Sequence, residues 1–265
     1  MSWLQIVVLA IVQGITEFLP ISSSGHLVLV PSILGWSDQG LAFDVAVHFG
    51  SLIAVCAYFR KDIAELLRGG CQLMGFKNET RESQLALVLG IATIPAATVG
   101  LLLADWVESS LRDPAVIVVT LAGYGIVMLL ADRFGRRDRD IAGVRFSDAI
   151  WIGCAQALAL IPGTSRSGIT ISAARALGFK RQDAARFSFL LSVPVILLAS
   201  LYKGFEMLMG STPVPWAELA VAALISAIVA YLSIGFFMRV VSRIGLLPFA
   251  VYRLLIAGVI VYVLV

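Results

Sequence analysis

The chain has 265 residues, of which 59% are hydrophobic and 14% charged, with mean hydropathy +0.93 and a formal net charge of +3. Soluble domains carry about a quarter charged residues, so this composition excludes a soluble globular protein and predicts a polytopic all-α membrane protein. Membrane lipids are the expected surroundings, and no nucleic acid is expected as a partner.

In chain order, the N-terminus MSWLQIVVLA lacks the basic region of a secretory leader, so the first apolar stretch is expected to be retained. That stretch, Trp3–Val30, is broken by LPISSSGH. Three apolar runs follow that look like full spans: Phe43–Phe59, Leu85–Ala104 and Ala115–Ala131. Next comes a second broken stretch, Ile150–Ala174, interrupted by IPGTSRSG, and then three more runs, Phe187–Tyr202, Leu219–Met238 and Phe249–Val265. Non-helical backbone at membrane depth survives only when buried in protein or lining a wet cavity. Both broken stretches are therefore read as re-entrant helical hairpins, which gives six transmembrane helices plus two hairpins. Cys56, Cys71 and Cys154 have no metal-binding spacing and are read as small core residues.

Segments 60–84, 132–148, 174–186 and 239–247 hold 16 of the 20 Lys and Arg residues, including Lys77, while Arg112 and Lys203 fall on the other side. This bias makes the populated side cytoplasmic. If either broken stretch crossed fully, the next basic cluster would change sides. The charges at 132–148 are read as ordinary topology-setting loop charges.

The two halves, 1–135 and 148–265, also match within what reads as a single membrane domain. Gln13 precedes Gly25 by twelve residues and Gln156 precedes Gly168 by twelve; PAVIVVTLAGYG aligns with PFAVYRLLIAG. One hairpin plus three spans is an odd number of crossings, so the second copy is expected to be inverted, with the two polar loops meeting near the midplane.

The first loop offers Glu17, Ser22, Ser23, Ser24, Gly25 and His26; Gln13 shares a helical face with Glu17. A serine is the expected N-cap of the outgoing half-helix, whose free N–H groups favour an anion. The second loop offers Thr164, Ser165, Ser167 and Gly168 and adds Arg166, a charge that is costly at membrane depth without a partner. Its planar fork suits phosphate. Glu17 has three readings: pairing with Arg166, binding a divalent cation, or orienting His26. Ser23 and His26, three apart, could form a nucleophile–base pair, or His26 could act on a water. His48 and Asp44 read as structural, and Arg253 as an arginine snorkelling to the cytoplasmic surface. A phosphate-binding transporter would want a similar cradle, so a lipid-phosphate flippase stands as the alternative function.

QGITEFLPISSSGH and PGTSRSG, together with FSFLLSVP and PFAVYR, closely resemble the bacterial undecaprenyl pyrophosphate phosphatases, also called bacitracin resistance proteins. The resemblance runs the whole length. It implies hydrolysis of a C55 polyprenyl pyrophosphate lipid to the monophosphate carrier used in cell-wall synthesis. The site would lie at the outer face of the bacterial cytoplasmic membrane, with Mg²⁺ or Ca²⁺ as cofactor. The implied catalytic residues are Glu17, Ser23, His26 and Arg166, with Ser22, Ser24, Gly25, Thr164, Ser165, Ser167 and Gly168 around the phosphates. Glu17 and Gln13 are the implied metal ligands. Members with Glu at the Gln13 position present two carboxylates, whereas this chain presents one. A homodimer stays open as its assembly.

Overall fold

Hydrocarbon offers backbone polar groups no partner, so a chain this apolar spans a bilayer as helix. The computed structural model describes residues 1–75, 80–111, 113–209 and 214–264. Lys77 and Arg112 lie outside the described residues. In chain order the helices are α1 (Trp3–Thr16), α2 (Ser23–Leu34), α3 (Gly40–Tyr58), α4 (Arg60–Met74), α5 (Arg81–Ser110), α6 (Pro114–Phe134), α7 (Phe146–Ala157), α8 (Arg166–Ala176), α9 (Arg181–Met209), α10 (Trp216–Ile244) and α11 (Leu247–Leu264). Among the described residues there is no strand, only one isolated bridge between Arg139 and Phe179. Helices α3, α5, α6, α9 and α10 are long and apolar enough to cross a membrane, whereas α1, α2, α7 and α11 are shorter apolar helices. The protein is a multi-pass, all-helical membrane protein.

Apart from Phe59, which caps α3, and Val265, which lies outside the described residues, the expected apolar runs fall within single helices, and several helices overrun them. α5 spans 30 residues, and α9 and α10 span 29 each, because charged residues such as Arg181 and Asp183 continue the helix beyond the hydrocarbon-compatible part. Segment 60–84, read as a charge cluster between spans, contains α4, which packs Gly69 directly on the backbone of Glu82 and Ser83.

Nor are the basic segments simply solvated. Arg175 is wholly buried and bonds the Asp132 carboxylate at 3.2 Å together with the carbonyls of Asp132, Gly135, Arg136 and Phe179. Arg181 makes two 2.7 Å bonds to the same carboxylate. Arg139 bonds Asp148 and lies over the Phe179 ring; its bonds to that carboxylate push it above the usual guanidinium range. Arg186 pairs with Asp62 and ties α9 to α4. One end of the molecule is thus closed by carboxylate-pinned arginines.

Two close helix crossings set the frame. A Cβ on Gly14 of α1 would sit 2.7 Å from Val229 Cβ of α10, and one on Gly153 of α7 would sit 2.6 Å from the Ala92 carbonyl of α5. A chain of aromatic contacts runs through the core: Phe18 against Phe189, Phe189 against Phe237, and Phe237 against Phe249, with centroids 5.2–5.6 Å apart. Phe18 belongs to the first polar break, so this apolar core forms the floor of the site.

Candidate active site

Both breaks in the apolar pattern end in the same turn. Ser22 and Ser165 have φ of 74° and 71°, the only positive values for non-glycine residues among the described residues. Each caps the helix that follows. Ser22 Oγ accepts from Gly25 N–H at 3.4 Å and Ser165 Oγ from Gly168 N–H at 3.2 Å. A second hydroxyl, of Ser24 or Ser167, lies 3.3 Å from the capping oxygen in each case. Glycine occupies the third position of both helices; at Gly168 a Cβ would crowd Ser165 Oγ at 3.2 Å, while at Gly25 it would only touch Ser22 Oγ at 3.4 Å. The amino ends of α2 and α8 therefore each present backbone N–H groups and two hydroxyls, an arrangement that favours an anion.

The two breaks touch. Arg166 Nη2 donates to Glu17 Oε1 at 2.8 Å, Arg166 Nη1 donates to the Ser188 carbonyl at 3.3 Å, and the guanidinium carbon lies 5.6 Å from the Phe18 ring centre. Ser167 Oγ donates to the Leu19 carbonyl at 3.1 Å. Of the three sequence readings for Glu17, the structure therefore contains the pair with Arg166. The other carboxylate oxygen, Oε2, accepts from Ser23 Oγ at 2.7 Å and from Gln13 Nε2 at 3.1 Å. Glu17 is 8% exposed, so this carboxylate meets its donors with little competing water.

His26 is placed differently from the sequence expectation. Its Nδ1 donates to the Ser22 carbonyl, four residues back, at 2.7 Å, and its Nε2 lies 2.7 Å from Tyr252 Oη. A carbonyl can only accept, so the first bond fixes the ring direction and turns Nε2 towards α11. Ser23 therefore bonds Glu17, not His26, and Glu17 does not orient the imidazole. Thr164 is wholly buried, and its Oγ1 has no hydrogen-bond partner among the described residues. Gln156 lies apart from the loops and bonds the Ala92 carbonyl.

Three residues near the site were not read from sequence as functional. His48 Nε2 stands 3.6 Å from Glu17 Oε2, while its Nδ1 donates to the Asp44 carbonyl. Tyr252 meets His26. Arg253 does not snorkel: it is 1% exposed and donates to the carbonyls of Leu121, Thr120 and Gly163 at 3.0–3.2 Å. Gly125 of α6 lies against it: a Cβ there would be in van der Waals contact with Arg253 Cβ at 3.4 Å. Among the described residues its Nη1 has no hydrogen-bond partner, and it lies 3.5 Å from where a Cβ on Gly168 would be. The general rule that an intramembrane ionisable residue marks a site would have found it.

With Glu17 ionised and both imidazoles neutral, the cluster has one net positive charge from Arg166 and Arg253. A serine hydroxyl on a buried carboxylate, facing an arginine and two helix amino ends, is equipped for nucleophilic attack on a phosphoryl group. For a metal, no group of three or more His, Cys, Asp or Glu among the described residues could hold an ion. Gln13 Oε1, however, is buried beside Glu17 without a hydrogen bond among the described residues. An orphaned amide oxygen next to a carboxylate fits a hard cation that takes the rest of its ligands from phosphate and water.

The family model described as bacitracin resistance protein BacA matches residues 6–260. Proteins named undecaprenyl-diphosphatase are similar over essentially the whole length. That of Hahella chejuensis is 52% identical over 100% of both chains, that of Alcanivorax borkumensis 51% over 97% of both, and that of Nitrosococcus oceani 48% over 99% of both. By that match, and by the paired serine turns that give the motifs their shape, the chain belongs to the bacitracin resistance protein BacA family.

Proposed function

We propose that this protein is a membrane phosphatase that cleaves undecaprenyl pyrophosphate to undecaprenyl phosphate and inorganic phosphate, recycling the lipid carrier for peptidoglycan synthesis and thereby conferring bacitracin resistance. The observation that carries this reading is the 2.7 Å bond from Ser23 Oγ to Glu17 at the place where Arg166 and two capped helix ends converge. Relatives named for this activity at about half identity support it.

In the proposed reaction Arg166 and the amino ends of α2 and α8 hold the phosphates. Ser23 Oγ attacks the terminal phosphorus and its proton passes to Glu17. The bond to the bridging oxygen breaks, and undecaprenyl phosphate leaves with the electron pair. Water then attacks the phosphoserine, giving its proton to His26, while Glu17 returns a proton to Ser23 and inorganic phosphate leaves. A divalent cation, Mg²⁺ or Ca²⁺, would be held by Glu17, Gln13 Oε1 and phosphate oxygens, and would neutralise phosphate charge.

The reading extends to topology: six crossings, two re-entrant hairpins entering from opposite leaflets, inverted halves 1–135 and 148–265, and a site open to the outer face of the cytoplasmic membrane. The matching turns at Ser22 and Ser165 and the one-sided basic clusters support this arrangement.

The test is phosphate release from a polyprenyl pyrophosphate by detergent-purified protein. Wild type should release phosphate without sealed vesicles, and chelator should slow it. Arg166→Ala should lose roughly 100-fold or more, the scale seen when one transition-state donor is removed. No release by wild type would overturn the phosphatase reading and leave translocation.

A further inference from the structure

We propose that Tyr252 is a positioning residue for His26, holding the imidazole so that Nε2 is the nitrogen that exchanges protons in the reaction; this rests on the phosphatase reading above. The Nδ1 proton is committed to the Ser22 carbonyl, so Nε2 alone can gain or lose one. At Nε2 stands the Tyr252 hydroxyl, 2.7 Å away, with the two rings nearly parallel at an interplanar angle of 6°. A phenol both donates and accepts. It donates to Nε2 of the neutral ring and accepts from Nε2–H of the charged ring, so both protonation states keep the ring in one orientation, and a proton from water reaches Nε2 as the hydroxyl takes it and passes on its own.

The placement of Tyr252 is itself fixed. The next residue, Arg253, is buried and bonded to the Thr120 and Leu121 carbonyls of α6 and to the Gly163 carbonyl of the second break. Successive helix residues point about 100° apart, so a single turn of α11 reaches both breaks: Tyr252 meets the first and Arg253 the second. Movement of α11 relative to either loop would break its bond to that loop. Tyr252 is 37% exposed, so its hydroxyl is not held merely by burial.

The variant Tyr252→Phe keeps the ring and removes only the hydroxyl. Its melting in detergent serves as a folding check. The chain has two histidines, so ¹⁵N-labelled histidine gives a simple spectrum, and comparison with His26→Gln assigns the His26 signals. We expect the His26 Nε2 resonance to move in Tyr252→Phe while Nδ1 stays bonded. We also expect kcat for phosphate release to fall up to about tenfold, the scale of one lost hydrogen bond, with KM little changed. An unchanged kcat, or a fall in kcat with an unmoved Nε2 signal, overturns the proposal. Wild type that releases no phosphate would sink the phosphatase reading instead, and the ¹⁵N comparison would still decide whether Tyr252 holds the ring.

Discussion

Ser22 and Ser165 occupy backbone that costs a non-glycine residue on the order of 1–3 kcal/mol, and their hydroxyls offset part of that by capping. Replacing Ser165 by Ala keeps the strain and loses the cap, so it should lower stability by about 1 kcal/mol more than Ser165→Gly, which loses the cap but relieves the strain. Melting of the two variants in detergent reads the difference. Arg166 and Glu17 form a pair with side chains 13% and 7% exposed, and removing one partner of a buried pair costs about 3–5 kcal/mol. Arg166→Ala should therefore melt lower than the double variant Arg166→Ala, Glu17→Gln, in which no buried charge is left alone. At this scale the sequence was half legible. The composition of each loop and the likelihood of contact between Arg166 and Glu17 followed from polar residues in apolar surroundings. The partner of Ser23 did not, because it depends on the Ser22 carbonyl capturing His26 Nδ1 and swinging the ring away. That is a rotamer choice no spacing rule encodes.

Hydropathy located the apolar core of each helix but not its ends, because residues such as those of 181–186 favour helix without being apolar. It also passed over α4, whose apolar residues recur with clear helical periodicity but whose many charged residues keep it from reading as a span. Arg253 was misread for a related reason: α11 is apolar on all sides, so its pattern does not say which face turns inward. Arg253→Met should cost about 1–3 kcal/mol, since the Gly163 carbonyl loses its donor while the Thr120 and Leu121 carbonyls keep their α6 partners; Arg253→Lys should recover only part of this, since one ammonium cannot reproduce the fork. Thermal melting of the two variants checks it. The Gly153 contact with Ala92 makes another element-scale prediction. Gly153→Leu should separate α7 from α5, with overpacking costing about 1–3 kcal/mol, and the yield of folded protein measured by size-exclusion chromatography should fall.

At the scale of the whole molecule, the clustering of Lys and Arg was readable because membrane insertion acts on charge count alone. The buried pins that fix those clusters, such as Arg175 on Asp132, were not, because they join segments 43 residues apart. In a background lacking the three native cysteines, a single cysteine at Ser37 should react with an impermeant maleimide in intact cells. One at Arg137 should react only after permeabilisation. The ion pair of Arg166 with Glu17 has a further consequence for turnover. In the resting protein the guanidinium already has a counter-charge, so an arriving headgroup must outbid a carboxylate. A diphosphate has the charge to do so, whereas a monoester has less, and once hydrolysis of the phosphoserine returns the Glu17 proton to Ser23 the carboxylate reclaims its arginine against a rebinding monoester. Such a site selects against what it makes, and undecaprenyl phosphate should inhibit it only weakly.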